Sequence, residues 1–274
     1  MSIRRGAASV MVVAFVAAAL TACASGESAV TLPPEGAAPD YQLGEGYPPP
    51  EGVEILVRDR TSPPPEEMYS ICYINAFQTQ PDELGDWPDE LVLLSEEGDP
   101  VVDPDWPDEA LLDTSTDDNR EAIEDIVSPW IQECAGAGFN AVEFDNLDSF
   151  TRSDGALTLE NNLELAEELV EIAHEAGLAA AQKNSAENAA TLRDEADFDF
   201  AIAEECAAFD ECDLYTDVYG QHVIAIEYSD DTGVDFTEAC SDEGMPASAV
   251  LRDRGLTAPG DPDYVFELCP DSTP

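Results

Sequence analysis

Eight short apolar runs, separated by helical or irregular segments, constrain this chain more than any other feature. They are YQLG at Tyr41, VEILVRD from Val53, YSICYINAF from Tyr69, FNAVEFDN from Phe139, GLAAAQKNS from Gly177, FDFAIAEE from Phe198, HVIAIEY from His222 and ASAVLRD from Ala247. Most are nearly continuously apolar, as strands covered on both faces must be. Between several of them lie amphipathic helices. Residues 119–137 carry Ile123, Ile126, Val127, Trp130 and Ile131 at helical spacing, with Pro129 as a kink. Residues 159–176 put Leu163, Ala166, Leu169, Val170 and Ala173 on one stripe and stop at Gly177, where a C-cap glycine belongs. A shorter helix, capped by Ser185, runs to Ala196. Eight strands with interposed helices predict an α/β chain folded as a (β/α)8 TIM-type barrel.

The ends bound that barrel. Residues 1–23 combine Arg4 and Arg5, an apolar stretch too short to span a bilayer, and small residues before Cys23. This is a signal peptide, and Leu20-Thr21-Ala22-Cys23 looks like a bacterial lipobox, so lipid on Cys23 would anchor the exported protein to the membrane. Residues 24–40, rich in Ala, Gly, Ser and Pro, read as a flexible tether. The barrel domain is then 41–274. Six further cysteines in an exported chain imply disulfides, although six allow about 15 pairings. Cys206 and Cys212 flank a short loop and suit a local bridge. Cys72 with Cys134, and Cys240 with Cys269, are the pairs expected for the rest. Without a CxxC, and with only His174 and His222, the chain offers no metal site, and no phosphate-binding loop calls for a cofactor.

A formal charge of −51 excludes nucleic acid as a partner, because phosphates would be repelled. The acids are spread along the whole chain and lysine is nearly absent, which fits a surface adapted to brine; a cationic substrate is the second explanation. The strand ends sharpen the question. Polar groups gather where each apolar run stops: Arg58 and Asp59, Tyr73 and Asn75, Asp145 and Asp148, Lys183 and Asn184, Glu204 and Glu205, Glu227 and Tyr228, Arg252 and Asp253. In such barrels the C-terminal strand ends carry the site. With no Ser-His-Asp set available, the chemistry falls to carboxylates, and two opposed carboxylates are what glycosidic cleavage needs. Asp145 and Glu204 are the best placed. Adjacent strand residues point to opposite faces, so only one of Glu204 and Glu205 enters the mouth.

The strings YSICYINAFQTQ, EALLDT, GFNAVEFDNLDSF, AQKNS and FDFAIAEECAAFDEC, in this order, resemble glycoside hydrolase family 114, the endo-α-1,4-polygalactosaminidases. The resemblance runs from about Tyr41 to Cys269. It implies an endo-acting hydrolase of α-1,4-linked, partly deacetylated galactosamine polysaccharide; separately from the resemblance, no cofactor and a monomer are expected. Asp145 matches the Asp of the family's D-N-x-D and Glu204 the Glu of N-E-x-C, the implied catalytic pair, with Asp145 as nucleophile and Glu204 as acid/base in a retaining reaction. Lys183 and Asn184 match K-N; Trp106, Glu109 and Asp113 match W-x-x-E and L-D. Asn140, Ala141, Phe144 and Ala203 depart from the pattern, Ala203 standing where the family has Asn. Asp148, Lys183, Asn184, Tyr73, Asn75, Asp59, Glu205 and Glu227 are the expected substrate contacts. Lys183 also fits a buried cation that keeps Asp145 ionised, and Trp87 and Trp106 fit core anchors as well as sugar platforms. The alternatives are a barrel glycosidase acting on another hexosaminan, or a glycan-binding lipoprotein without catalysis. The DWPDE sequence repeated near Gly85 and Pro104 belongs to one long connection after the third strand, placed to cover the mouth.

Overall fold

A computed structural model describes residues 30–230, 233 and 235–270. The signal segment, Cys23 and the first part of the tether lie outside the described residues. Strands β1 (Pro39–Gln42), β2 (Ile55–Asp59), β3 (Tyr69–Asn75), β4 (Ala141–Asp145), β5 (Ala179–Lys183), β6 (Phe200–Glu204), β7 (Val223–Tyr228) and β8 (Ser248–Arg252) pair in parallel and in chain order. Helices α1 (Asp117–Ala137), α2 (Leu159–Glu175), α3 (Ala189–Glu195), α4 (Cys212–Tyr219) and α5 (Phe236–Ala239) fill the later crossovers. This is a (β/α)8 barrel, nearly closed, with a ninth strand that the apolar runs did not reveal. Strand β9 (Phe266–Leu268) lies antiparallel on β8. Among the described residues, no helix is long and apolar enough to cross a membrane.

Strand alternation sorts the core into two layers. Tyr41, Ile55, Val57, Ile71, Tyr73, Ala141, Ala179, Ala181, Phe200, Ile202, Ile224, Ile226 and Val250 fill the barrel interior. Their neighbours Cys72, Ile74, Val142, Phe144, Ala180, Ala201, Ala203 and Ala225 pack outward with the helices. The small residues at 141, 179 and 181 leave the interior room that the Tyr41 and Tyr73 rings occupy. Helix α1 starts at Asp117, because Thr116 caps it by accepting from the Asn119 amide at 3.2 Å; it ends where Gly138 takes φ 99°. Ser185, expected to cap α3, instead has φ 64° and makes no capping bond.

Because β9 occupies the free edge of β8, the barrel seam is bridged by a side chain. Arg252, fully buried on β8, donates from Nη1 to Asp40 Oδ1 at 2.7 Å and to the Tyr41 carbonyl on β1. Its other nitrogens reach the carbonyls of Val265 and Thr257, each at 3.0 Å. Every face of the guanidinium is met, which is what makes a buried charge tolerable. The fold also starts earlier than Tyr41. Ala37 and Ala38 are buried, Val30 and Leu32 pack on the interior cluster, and the Tyr69 hydroxyl donates to the Thr31 carbonyl at 2.7 Å. The tether expected through residue 40 is therefore replaced by ordered chain from residue 30. Disulfides join Cys72 to Cys134, Cys206 to Cys212 and Cys240 to Cys269. The first ties β3 to α1, and the second closes the loop that follows β6.

The long connection between β3 and α1 folds back on itself through bridges such as Gln78 with Leu111 and Val102 with Ala110. Trp87, 5% exposed, stacks edge-on against Trp130 of α1, with ring centroids 5.7 Å apart, and anchors this connection. Trp106, 52% exposed, stands free at the barrel mouth. The two DWPDE copies thus serve opposite ends: one tryptophan is core, the other surface.

Candidate active site

Strands β4, β5 and β6 each end on an inward-pointing charged residue: Asp145, Lys183 and Glu204. The next residue in each case turns the chain away with a positive φ: Asn146 at 67°, Asn184 at 51° and Glu205 at 58°. Asparagine tolerates this region because its short side chain bonds locally. Asn184 does so in both directions, donating to Glu204 Oε2 at 3.0 Å and accepting from the Glu204 amide at 2.9 Å. The turn that ends β5 therefore fixes the residue that ends β6.

Lys183 is the only lysine in the chain. Its ammonium, 1% exposed, lies 3.2 Å from Glu204 Oε2, 3.5 Å from Asp145 Oδ2 and 3.3 Å from Glu143 Oε1. It also donates to the Tyr41 hydroxyl at 2.9 Å. Burial alone would lower the lysine pKa, but Asp145, Glu204 and Glu143 together hold it well above its ordinary value. Two contacts to one nitrogen also fix a distance: Asp145 Oδ2 and Glu204 Oε2 are no more than about 6.7 Å apart.

Each carboxylate has further donors. The Tyr73 hydroxyl bonds Asp145 Oδ2 at 2.7 Å, and the Asn146 amide bonds Oδ1 at 2.8 Å. The Tyr228 hydroxyl bonds Glu204 Oε1. Burial pushes the Glu204 carboxyl up, yet the Lys183 charge and the bonds from Tyr228 and Asn184 outweigh it and hold the group below the usual carboxylate range. Asp145 is 15% exposed and Glu204 is 24% exposed, both at the floor of a cleft of about 480 Å³.

The cleft wall is a second network. Arg152 bonds Asp148 Oδ1 at 2.8 Å, Asn146 Oδ1 at 2.7 Å and Asp103 Oδ2 at 2.7 Å. Asn75 and Gln78 both donate to Glu109 Oε2, at 3.0 and 3.1 Å. Burial raises the Glu109 carboxyl to about 7, against those two bonds. On the far wall Arg254 stacks over Tyr228, 4.5 Å from the ring centre.

Of the residues expected from the sequence, Asp145, Glu204, Asp148, Lys183, Asn184 and Tyr73 line the cleft. Four expected contacts lie elsewhere. Asn75 is buried beneath the wall, between Asn146 and Glu109. Asp59 holds a turn through Thr61 and receives Gln80 at 2.8 Å. Glu205 is turned aside to Arg254 at 2.6 Å. Glu227 points outward and accepts from the Ala207 amide at 2.9 Å. Ala203 also faces outward, so the family's Asn at that position has no direct bearing on the cleft floor here. Asn140, another departure, accepts from the Ser70 amide and registers β4 against β3. Glu143, Tyr41, Asp103 and Arg152 were not anticipated. For Glu143 a signal existed: it is a charge in the middle of an apolar strand, two residues before Asp145 and so on the same face.

A model of the glycoside-hydrolase family GH114 matches residues 19–274. In three dimensions the chain is similar to Aspergillus fumigatus Ega3, solved in complex with galactosamine. The TM-score is 0.69 at 21% identity, covering 87% of this chain and 97% of that one. It is also similar to the glycoside hydrolase domain of PelA from Pseudomonas aeruginosa, with a TM-score of 0.55 at 14% identity, covering 84% of this chain and 97% of that one. No curated protein sequence matches.

Proposed function

Because the chain belongs to glycoside hydrolase family GH114, we propose that Asp145 and Glu204 are the carboxylate pair with which it cleaves α-1,4-linked, partly deacetylated galactosamine polysaccharide at internal bonds. The observation that carries this reading is the single ammonium of Lys183 shared between them. It holds two acids from different strands at one spacing and one depth. Retaining glycosidases keep their carboxyls about 5–5.5 Å apart and inverting ones about 6.5–9.5 Å. The two oxygens that face Lys183, no more than about 6.7 Å apart, are compatible with the retaining spacing. Asp145, the less exposed of the two, suits the nucleophile. Glu204, more open to solvent, suits the group that exchanges protons.

In that scheme Glu204 gives its proton to the leaving glycosidic oxygen as the C1–O bond breaks and an Asp145 oxygen bonds C1. Water then gives a proton to Glu204 and its oxygen to C1, freeing Asp145. The substrate class is supported by the charge of the cleft. Asp103, Asp105, Glu109, Asp145, Asp148 and Glu204 line it against Arg152, Lys183 and Arg254, and all three cations are engaged with acids. Protonated amines would meet a surplus of carboxylate. Ega3, the fold neighbour, holds galactosamine. The lining comes from Leu43 and Leu256 as well as from Trp106 and Arg152, so the cleft crosses the mouth, as an internal cut requires. The lipobox-like leader supports export with lipid on Cys23, which the mass of the mature N-terminal peptide would test.

Release of reducing ends from poly-α-1,4-galactosamine tests the whole reading. Asp145→Asn and Glu204→Gln should each lose activity about 10³-fold or more. Near wild-type release by either variant would remove the proposed pair, and equal rates on fully acetylated polymer would remove the amine preference.

A further inference from the structure

We propose that Glu143, below the cleft floor and out of reach of substrate, is a positioning residue that governs how much of the Lys183 charge reaches Glu204. This rests on the reading of Asp145 and Glu204 as the catalytic pair. Glu143 is fully buried, one layer beneath Asp145 on the inward face of β4. Its Oε1 accepts the Tyr41 hydroxyl at 2.7 Å and lies 3.3 Å from the Lys183 ammonium, which itself donates to Tyr41. Its Oε2 is buried with no hydrogen-bond partner among the described residues. The groups facing it are Tyr41 from β1, its register neighbour Tyr73 from β3, Asp145 on its own strand, Lys183 from β5 and Glu204 from β6.

A purely structural role explains this arrangement poorly. Asp145 and Glu204 already supply two counter-charges to Lys183. A third carboxylate, with one oxygen left bare in the interior, adds desolvation cost for no missing charge. Its effect on the other two does explain it. Glu204 must carry a proton to act as acid, yet the resting field holds it ionised. An ionised Glu143 draws the ammonium downward and repels charge above it, so Glu204 gains proton affinity; a neutral Glu143 releases the ammonium upward. Burial pushes the Glu143 carboxyl up to about 7, with Lys183 and Tyr41 opposing and Asp145 and Glu204 assisting, so its charge changes near neutrality.

The sole lysine makes this measurable. Protein labelled with [13Cε]lysine gives one side-chain resonance, from Lys183. In wild type that resonance should step between pH 5 and 9 with a midpoint near 7, and in Glu143→Gln the step should vanish. The alkaline limb of kcat/KM reports the proton of the free-enzyme acid. In the same variant that limb should lie about tenfold below wild type above pH 7, where Glu143 is ionised, with KM within about twofold of wild type. A structural Glu143 would lower the rate at every pH and leave the limb in place, and that result overturns the proposal, as does a flat wild-type resonance. Should Glu143→Gln not fold, Tyr41→Phe deletes one buried oxygen and the bond that favours ionised Glu143. It should move the limb the same way, and an unmoved limb there also overturns the proposal. If Asp145→Asn and Glu204→Gln remain active, the catalytic pair is wrong while the resonance step still reports on Glu143.

Discussion

Replacing Lys183 with Met keeps most of the stem that packs inside the barrel and removes the charge together with its bond to the Tyr41 hydroxyl. The ammonium it deletes is 1% exposed and has three carboxylates within 3.5 Å, of which Glu143 is fully buried. Breaking a buried ion pair costs about 3–5 kcal/mol, because the remaining charge has no partner. At pH 8 the variant must either hold three uncompensated carboxylates or protonate them far above their ordinary range, so a loss of about 4 kcal/mol or more is expected. The sign of the pH dependence follows from the direction of the shifts. Without Lys183 the carboxyl pKa values rise further in the folded state than in the unfolded one. The stability they contribute is then complete below the unfolded value and is lost as pH rises through the folded values. The penalty should therefore shrink on going from pH 8 to pH 5. One proton taken up only by the folded variant across those three units is worth up to about 4 kcal/mol, at about 1.4 kcal/mol per unit. Wild type declines over part of the same range, since Glu143 is itself raised to about 7. The readout is thus the difference between the two proteins, from urea unfolding at both pH values with the disulfides intact. A penalty of equal size at pH 5 and pH 8 would refute the charge argument and leave only packing of the stem.

Trp106→Ala should raise KM about 5- to 30-fold with kcat little changed, the worth of an aromatic face under a protonated sugar. Its melting temperature should stay put because the ring is half in solvent; a fall in melting temperature with KM unchanged would mark it as structural. Across one salt series, KM on polygalactosamine should rise, as attraction to the cleft acids is screened over about 8–10 Å. The melting temperature should rise too, as self-repulsion among the −51 formal charges is relieved. A KM indifferent to salt would remove electrostatics from specificity.

The eight apolar runs made the barrel legible, and strand alternation its cleft floor. Once β4 and β6 are strands, Asp145 and Glu204 share a mouth with Lys183, and Glu205 cannot. What stayed hidden depends on turns and on long loops. Glu205 and Asn75 end strands as expected, but Glu205 is carried aside by its positive φ to Arg254, and Asn75 is covered by the connection that brings Glu109 over it. The meeting of Arg152 with Asp103, 49 positions earlier in the chain, is set by the path of that connection and has no local pattern. Strand β9 is three residues long and only partly buried, too short for any periodicity to show. Glu143 was visible, and was passed over because a charge inside an apolar run reads as an exception to the strand rather than as part of its purpose.

The seam between β8 and β1 has a consequence for how the protein comes alive. Arg252 and Asp40 are 212 residues apart, and no contact made by neighbouring strands can substitute for theirs. Loop-closure entropy makes joins between distant parts of a chain slow to form. The rest of the barrel can assemble strand upon strand along the chain while β1 waits for β8. Tyr41 rides on β1, so the hydroxyl that links Lys183 to Glu143 is seated only when the ring closes. In a refolding experiment, circular dichroism and tryptophan emission should recover first and hydrolysis last. The enzyme's own turnover would then time the closing of its barrel.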